Sequence, residues 1–348
     1  MKVLWLSHLI PYPPKGGVLQ RAYNLIKEVA KEHQIFLLAF NQSSLLKNSY
    51  LNTQDPLQHS IQHLSNICDD IKIIDIPSER FKWGKYFLAL KSLLSPTGYT
   101  VKWLTSGDMS QAIISWKNKY IFDLVHYDTI SLAQYQYLLS EIPSTLDHHN
   151  IESEMLSLRA QNEKNILKKI YFKQEAFKLR KYESKQCPKF DLNIVCSDND
   201  LSSLAQYSSN IKSIVIPNGV DTDYFTPQQI EKEPKSLIFA GGLSWYPNLD
   251  AMLFFAYQIW PQLKARIPNI KMNLIGRSPP KDLIELSKKD HNFRIFGFVN
   301  DVRYYLSSSE IYVCPIRDGG GTKLKILDAL AMKCPLVVHP FACKGIDI

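Results

Sequence analysis

The sequence predicts an α/β protein of two Rossmann-like domains facing a cleft, and three observations carry that prediction. Short apolar runs alternate with helical patterns along most of the chain, the signature of a parallel sheet covered by helices on both faces. The alternation comes in two series, separated by the charged, proline-bearing segment Thr226-Pro227-Gln228-Gln229-Ile230-Glu231-Lys232-Glu233-Pro234. At 348 residues, with 45% hydrophobic and 11% aromatic content, the chain is long enough to give each of two domains its own core.

The first series opens with Val3 to Ser7, read as a strand rather than a leader because the apolar run is short and Pro11, Pro13 and Pro14 follow. Val18, Ala22, Leu25, Ile26 and Val29 mark an amphipathic helix that opens at Gly16-Gly17. Further strands are expected at Ile35 to Phe40, Ile71 to Ile76, Asp123 to Tyr127 and Ser144 to His148. One long helical pattern runs from Glu152 to about Lys185, ends before Pro188, and is followed by a strand at Leu192 to Cys196. The second series has strands at Leu237 to Ala240, Met272 to Ile275, Arg294 to Phe296, Ile311 to Pro315 and Leu336 to Val338, with helices between. The expected organisation is a first domain over 1–209, an interdomain linker region over 210–235 and a second domain over 236–348. Ligands of such open sheets bind outside the carboxyl ends of the strands.

Composition narrows the function classes. Lys+Arg 41 against Asp+Glu 33 gives a formal net charge of +8, enough to bias one face toward acidic partners, and no nucleic-acid partner is expected. Much of the excess lies between Lys164 and Lys189, where nine cations face only Glu163, Glu175 and Glu183; this stretch reads either as a solvated helical face or as a surface drawn to an anionic membrane. The six cysteines are scattered, with no Cys-x-x-Cys pair, which fits a reducing cytoplasm. No run approaches the roughly 18 apolar residues of a membrane span. A cytoplasmic protein, soluble or peripheral at the inner membrane face, is expected.

The run Pro315-Ile316-Arg317-Asp318-Gly319-Gly320-Gly321-Thr322-Lys323-Leu324-Lys325-Ile326-Leu327-Asp328 is the most informative in the chain. It sits where a buried strand turns into a helix, so the amides of the first helical turn, the positive dipole end and the missing Cβ atoms together favour a phosphate. Asp328 lies six residues past Thr322, about 9 Å along a helix at 1.5 Å per residue, a fitting reach from a diphosphate to a ribose diol. A glycine turn before a helix is common, however, and an Asp on a helix is most often solvated.

The order of the remaining motifs decides between these readings. Ile216-Pro217-Asn218-Gly219-Val220-Asp221 with Phe225 and Pro227, Gly241-Gly242 at a strand end, Gly276-Arg277, Gly297-Phe298-Val299 and the Gly319 to Asp328 block together resemble the family-4 retaining glycosyltransferases of the GT-B fold. Asp147-His148-His149-Asn150-Ile151-Glu152-Ser153 and Trp245-Tyr246-Pro247-Asn248 resemble, more closely, the bacterial branch that builds capsular and exported polysaccharides. The resemblance implies a nucleotide-sugar bound by the C-terminal domain, a saccharide or lipid-linked acceptor bound mainly by the N-terminal one, retention of anomeric configuration, and no metal or other cofactor. Donor contacts are then expected from Gly16, Gly17, Arg21, Arg277, Phe298, Val299, Arg317, Gly319, Gly320, Gly321, Thr322, Lys325 and Asp328. Lys323 is a candidate for stabilising the leaving diphosphate, and Asp128 and His149 for activating the acceptor hydroxyl.

Several positions depart from the family pattern. The family's two Glu, seven residues apart, correspond to Gly320 and Asp328, so the usual carboxylate contact to the donor sugar is missing. The Arg and Lys after the first strand of the donor domain correspond to Gly242 and Pro247, and the catalytic His of the first domain to Asp128. Among smaller features, Gly16-Gly17 reads equally as a donor-phosphate loop or a plain helix cap, and His126 as a packed core histidine. His148-His149 lack the second cluster a metal site needs. Asp221-Thr222-Asp223 mimics a metal motif but sits in a turn context. Two other readings stay open. A Rossmann oxidoreductase lacks its Gly-x-Gly-x-x-Gly fingerprint after the first strand. A nucleotide-binding module with impaired catalysis is suggested by a chain that stops at Ile348, soon after Lys344-Gly345, where the resemblance implies further helices completing the donor domain.

Overall fold

The computed structural model describes residues 1–50, 53–207 and 210–346. The chain divides into two compact units, Met1–Pro217 and Asn218–Ile348. Ser209, the last residue of the expected first domain, and Ile348 lie outside the described residues.

The first unit is a seven-stranded parallel sheet. Its strands are β1 (Lys2–Ser7), β2 (Gln34–Asn41), β3 (Asp70–Asp75), β4 (Leu124–Tyr127), β5 (Ser144–His148), β6 (Leu192–Val195) and β7 (Ser213–Val215). They lie in the order β3-β2-β1-β4-β5-β6-β7. The period of two explains how one apolar run builds two cores. Leu4, Leu6, Phe36, Leu38 and Phe40 point to one side, where they meet Met109, Ile113 and Trp116 of the helix Gly107–Lys119. Val3, Trp5, Ile35, Leu37 and Ala39 point to the other and meet Ile26 of the helix Gly17–Val29. Register is set at the centre by Trp5 opposite Leu37 on one flank and His126 on the other. β1 is therefore where the strand order reverses, and the carboxyl ends of β1 and β4 frame the switch point.

The second unit repeats the plan with five parallel strands, β8 (Glu233–Ala240), β9 (Lys271–Ile275), β10 (Phe293–Gly297), β11 (Ser309–Cys314) and β12 (Leu336–Val338). The order β10-β9-β8-β11-β12 puts the switch point between β8 and β11. Phe239, Met272, Leu274, Phe293 and Trp260 fill its core, and Trp260 Nε1 donates to Asp290 Oδ2 at 2.9 Å, so the indole is buried without orphaning its N–H.

Three elements differ from expectation. The helical pattern expected from Glu152 to Lys185 is two helices, Glu152–Asn162 and Ile166–Gln186. Asn165 caps the second, its side chain accepting from Lys168 N at 3.1 Å, and Glu163 Oε1 accepts from Asn165 N at 3.0 Å; these local bonds outcompete helix continuation. β7 was not expected, because Ser213–Val215 falls within the expected linker region. β8 begins inside the expected linker because Glu233 pairs in register with Ser309 while its carboxylate binds Lys271 of β9 and Arg294 of β10.

Candidate active site

Each unit gathers its chemistry at its own switch point. In the first unit the carboxyl ends of β1, β4 and β5 present Ser7, His8, Asp128 and His149. The Asp128 side chain is fully buried; its Oδ1 lies 2.7 Å from His149 Nε2, and its Oδ2 accepts from Ser7 Oγ at 2.9 Å. His8 Nδ1 lies 3.0 Å from the Asp128 carbonyl oxygen and 3.4 Å from Oδ2. Burial by itself would raise the Asp128 pKa, but the His149 imidazole at hydrogen-bond distance, with His8 behind it, holds the carboxyl well below the usual range. Burial would likewise lower His149, and Asp128 overrides it, so the imidazole pKa is raised. The result is a fixed carboxylate behind and an imidazole with 10% side-chain exposure in front. Such a dyad can accept a proton from a hydroxyl and stabilise the imidazolium that forms.

Sequence reasoning brought Asp128 and His149 forward but missed Ser7 and His8, whose one signal was their place at the end of the first strand. It also found no metal cluster, whereas the fold brings His8, Asp128 and His149 within 4.8 Å of one another, and likewise His126, Asp128 and Asp147. In the first set the 2.7 Å His149–Asp128 separation is that of a shared proton, tighter than the roughly 3.3 Å two ligands keep around a tetrahedral ion with bonds near 2.0–2.1 Å. The second set is closed by Arg21, whose Nε and Nη2 donate to the two Asp147 oxygens at 2.8 and 2.7 Å.

That bidentate pair also relocates Arg21. Expected at the donor phosphates, its guanidinium is buried at 6% exposure, and Nη1 donates to Ile216 O at 3.0 Å. Desolvation would weaken the cation, but Asp147 outweighs it and the pKa is raised. Gly16 caps the helix that begins at Gly17, so this loop offers backbone rather than a free guanidinium. His126 is packed as expected, its ring centroid 3.8 Å from that of Trp5 and its Nδ1 2.8 Å from Thr145 Oγ1.

In the second unit four strand ends contribute. After β11 the loop holds Gly319 at φ +95° and Gly321 at φ +66°, and the helix begins at Leu324 rather than at Thr322. Lys323, expected as a catalytic cation, is 4% exposed and sits inside the loop. Its Nζ donates to the carbonyl oxygens of Gly319, Gly320 and Gly321 at 3.0, 2.7 and 2.9 Å. In a trans peptide the C=O and the following N–H point in opposite directions. Three carbonyls turned in on the ammonium therefore turn the amides of Gly320, Gly321 and Thr322 outward, a concave set of donors suited to an anion. The Gly319 amide is engaged by Asp318 Oδ1 at 2.6 Å. Lys323 thus shapes the site from behind.

Lys325 faces the same strand ends. Its Nζ reaches Asn248 Oδ1 at 2.5 Å, and Asn248 Nδ2 donates to Gly242 O at 2.8 Å, tying the Gly241-Gly242 turn after β8 to the helix after β11. A Cβ at Gly241 would lie 2.5 Å from that ammonium, so only glycine lets the lysine approach. A Cβ at Gly319 would meet Pro247 Cγ at 2.7 Å, which seats the glycine loop on the Trp245-Tyr246-Pro247-Asn248 segment. Burial beside the Phe239 ring pulls the Lys325 pKa down to about 8, against the attraction of Asp328. Asp328 is half-buried one turn along the helix; with the helix starting at Leu324, the rise to it is about 6 Å rather than the expected 9.

After β9 and β10, Gly276 N donates to Gly297 O at 2.7 Å and the Arg277 guanidinium lies 3.5 Å over the Phe298 ring, which brings the expected base-reading residues Phe298 and Val299 beside Arg277. Burial lowers the Arg277 pKa. Among the described residues, the buried Arg277 Nη2 and Thr322 Oγ1 have no hydrogen-bond partner. Arg317, expected at the donor, instead pairs within the fold: its Nη2 binds Asp250 at 2.9 and 3.1 Å and its guanidinium stacks 4.0 Å over Phe254. The Asp221-Thr222-Asp223 segment is a turn, with Asp221 Oδ1 accepting from Asp223 N and Tyr224 N at 3.1 and 3.0 Å.

Comparison with known proteins gives this geometry a context. A family model described as Glycosyl transferases group 1 matches residues 234–347, the second unit from β8 onward. No curated protein matches the sequence. Solved structures do match over nearly the whole chain. A sucrose-phosphate synthase from Thermosynechococcus elongatus superposes with a TM-score of 0.68 at 14% identity, covering 99% of this chain and 82% of that one. HepE of Anabaena, solved with UDP and glucose, gives 0.60 at 13% identity, covering 100% and 83%. A glycosyltransferase from Rickettsia africae gives 0.60 at 16%, covering 100% and 82%. With two Rossmann-like units in the order these proteins share, the chain has the GT-B fold.

Proposed function

We propose that this protein is a glycosyltransferase that moves a sugar from a nucleotide-diphosphate donor to a saccharide or lipid-linked acceptor, with retention of configuration. The observation that carries the reading is the glycine loop wrapped on Lys323, which presents the outward amides of Gly320, Gly321 and Thr322 beside the Lys325 ammonium. Backbone donors and a cation fixed in advance match a diphosphate that gains negative charge as the glycosidic bond breaks. Asp328 takes the ribose diol, and Arg277 with Phe298 and Val299 takes the base. HepE, a protein of the same fold, was solved with UDP and glucose, which supports a nucleotide-sugar donor. At the other switch point His149 receives the acceptor proton and Asp128 positions it. No metal is required by these roles. Retention and a place in exported-polysaccharide synthesis rest on the motif resemblance, and a cytoplasmic location on the six free thiols, five of them buried.

Calorimetric titration with UDP, GDP and ADP tests the donor half, followed by transfer assays with the matching nucleotide-sugars. Saturable binding of one diphosphate and transfer of its sugar are expected. No diphosphate binding sinks the reading, NADH binding in its place favours an oxidoreductase, and diphosphate binding without transfer to any acceptor favours a catalytically impaired module.

A further inference from the structure

The helix Gly84–Leu93 turns its apolar side to solvent. Tyr86, Phe87, Leu90 and Leu94 follow one another at helical spacing, Phe81 and Trp83 project from the turn before them, and exposures run from 65% at Leu90 to 96% at Leu94. Beside it, the helix Ile166–Gln186 exposes Ile166, Leu167, Ile170 and Phe177. At about 100° per residue, Ile166, Ile170, Lys173, Phe177 and Lys181 share one stripe. Gln174 and Lys178 on its flank bind the shorter helix: Gln174 Nε2 donates to Leu93 O at 2.9 Å and Lys178 Nζ to Ser92 O at 2.6 Å. The two apolar stripes therefore adjoin.

Charge on this face is sorted as strictly as polarity. The long helix buries both its carboxylates, Glu175 at 3% and Glu183 at 0% exposure, while Lys173, Arg180, Lys181 and Lys185 stay exposed. Residues 81–94 carry Lys82, Lys85 and Lys91 and no acid. Lys181 Nζ sits 4.4 Å from the Phe177 ring centroid, a cation directly beside an exposed apolar group. Although Lys85 pairs with Glu79 at 3.0 Å and Arg80 with Asp108 at 2.6 Å, cations predominate around the patch, and an exposed apolar patch with a polar rim marks a binding surface. Trp and Tyr suit the lipid–water boundary, and lysine stems lie along apolar surface with their heads in the polar layer. A second copy of this face would set lysines against lysines, whereas anionic headgroups complement them.

We propose that this face docks on an anionic lipid surface, with Trp83, Phe87 and Leu90 entering the acyl boundary and the lysines on phosphates. Among the described residues no helix is long and apolar enough to cross a membrane, so the contact is interfacial. It rests on this face alone and not on the transferase reading; vesicle binding is measured without nucleotide or acceptor, so the two can fail separately. The whole protein is sedimented with phosphatidylcholine vesicles with and without phosphatidylglycerol. Binding is expected only with the anionic lipid, weakening as salt rises. The triple change Lys173→Gln, Arg180→Gln, Lys181→Gln should lower partitioning about hundredfold, at roughly fivefold per cation. Trp83→Ser with Phe87→Ser and Leu90→Ser should abolish it, with circular dichroism unchanged because these side chains are exposed. The proposal is overturned by absent binding to anionic vesicles, by equal binding to neutral ones, or by either triple variant partitioning like the parent. A lipid-free dimer that the apolar triple converts to monomer, without vesicle binding, would assign the face to a second copy instead.

Discussion

The two switch points of this molecule have the same topology and opposite chemistry. In the first unit the guanidinium nearest the strand ends, Arg21, is locked on Asp147, and what remains at the surface is an imidazole backed by a buried carboxylate. In the second, a buried ammonium pulls three carbonyls inward, which leaves outward amides and a second, partly desolvated lysine. In the proposed function one site moves a proton and the other holds an anion. The difference teaches that a cation near a strand end says little until its partner is known: Arg21, Lys323 and Arg317 all have theirs within the fold, and Lys325 faces a neutral amide.

The largest effect expected from breaking this contrast is at Asp128. Asp128→Asn removes the charge that raises the His149 pKa, so sugar transfer should fall about 10²- to 10⁴-fold while diphosphate affinity stays unchanged. The rising limb of the pH–rate profile should also move to lower pH, because the imidazole loses the carboxylate that favours its protonated form. A profile that keeps its position would leave Asp128 a packing residue only.

Arg21 distinguishes a structural cation from a ligand-binding one. Arg21→Met strands the Asp147 charge in the core and should destabilise the first unit by about 3–5 kcal/mol, read as a lower urea midpoint. An anion-binding arginine would instead lose diphosphate affinity with stability unmoved. Asp328→Ala is the milder counterpart in the second unit: loss of a charged hydrogen bond to a ribose hydroxyl should weaken nucleoside diphosphate binding by about 1–3 kcal/mol in calorimetry. Equal affinity for the parent and the variant would return Asp328 to the solvated helix face.

Much of the fold was legible in the sequence because apolar runs buried on both faces of a parallel sheet announce themselves, as Ile35 to Phe40 and Leu237 to Ala240 do. β7 was not, since Ser213-Ile214-Val215 falls within the segment read as the interdomain linker, and the break at Glu163–Asn165 hid within a longer helical period. Site residues divide along the same line. Gly319 to Asp328 is contiguous, so its glycines and its place at a strand end could be read directly. Ser7–Asp128 and Arg21–Asp147 are separated by 121 and 126 positions and meet because β1 pairs with β4 and β4 with β5, which strand order decides and local sequence does not. Even the contiguous loop concealed its main device, because whether Lys323 points outward to a ligand or inward to carbonyls depends on the sign of φ at Gly319 and Gly321.

Lys325 offers the finest test of the contrast, since its charge is the part of the anion site that pH can remove. Burial brings its pKa down to about 8, so the ammonium is present below that value and is lost as pH rises through it. A bound diphosphate favours the charged form, and its own last ionisation, near 6 for phosphate groups, is already complete there. Affinity for the diphosphate should therefore be level near pH 7, be about halved at pH 8 and fall about tenfold by roughly pH 9.5, the loss of one charge-assisted hydrogen bond. Lys325→Met should bind more weakly at pH 7 and show no such decline. If the parent's affinity held steady to pH 9.5, the diphosphate would rest on the three amides alone, and the difference between the two switch points would reduce to imidazole against backbone.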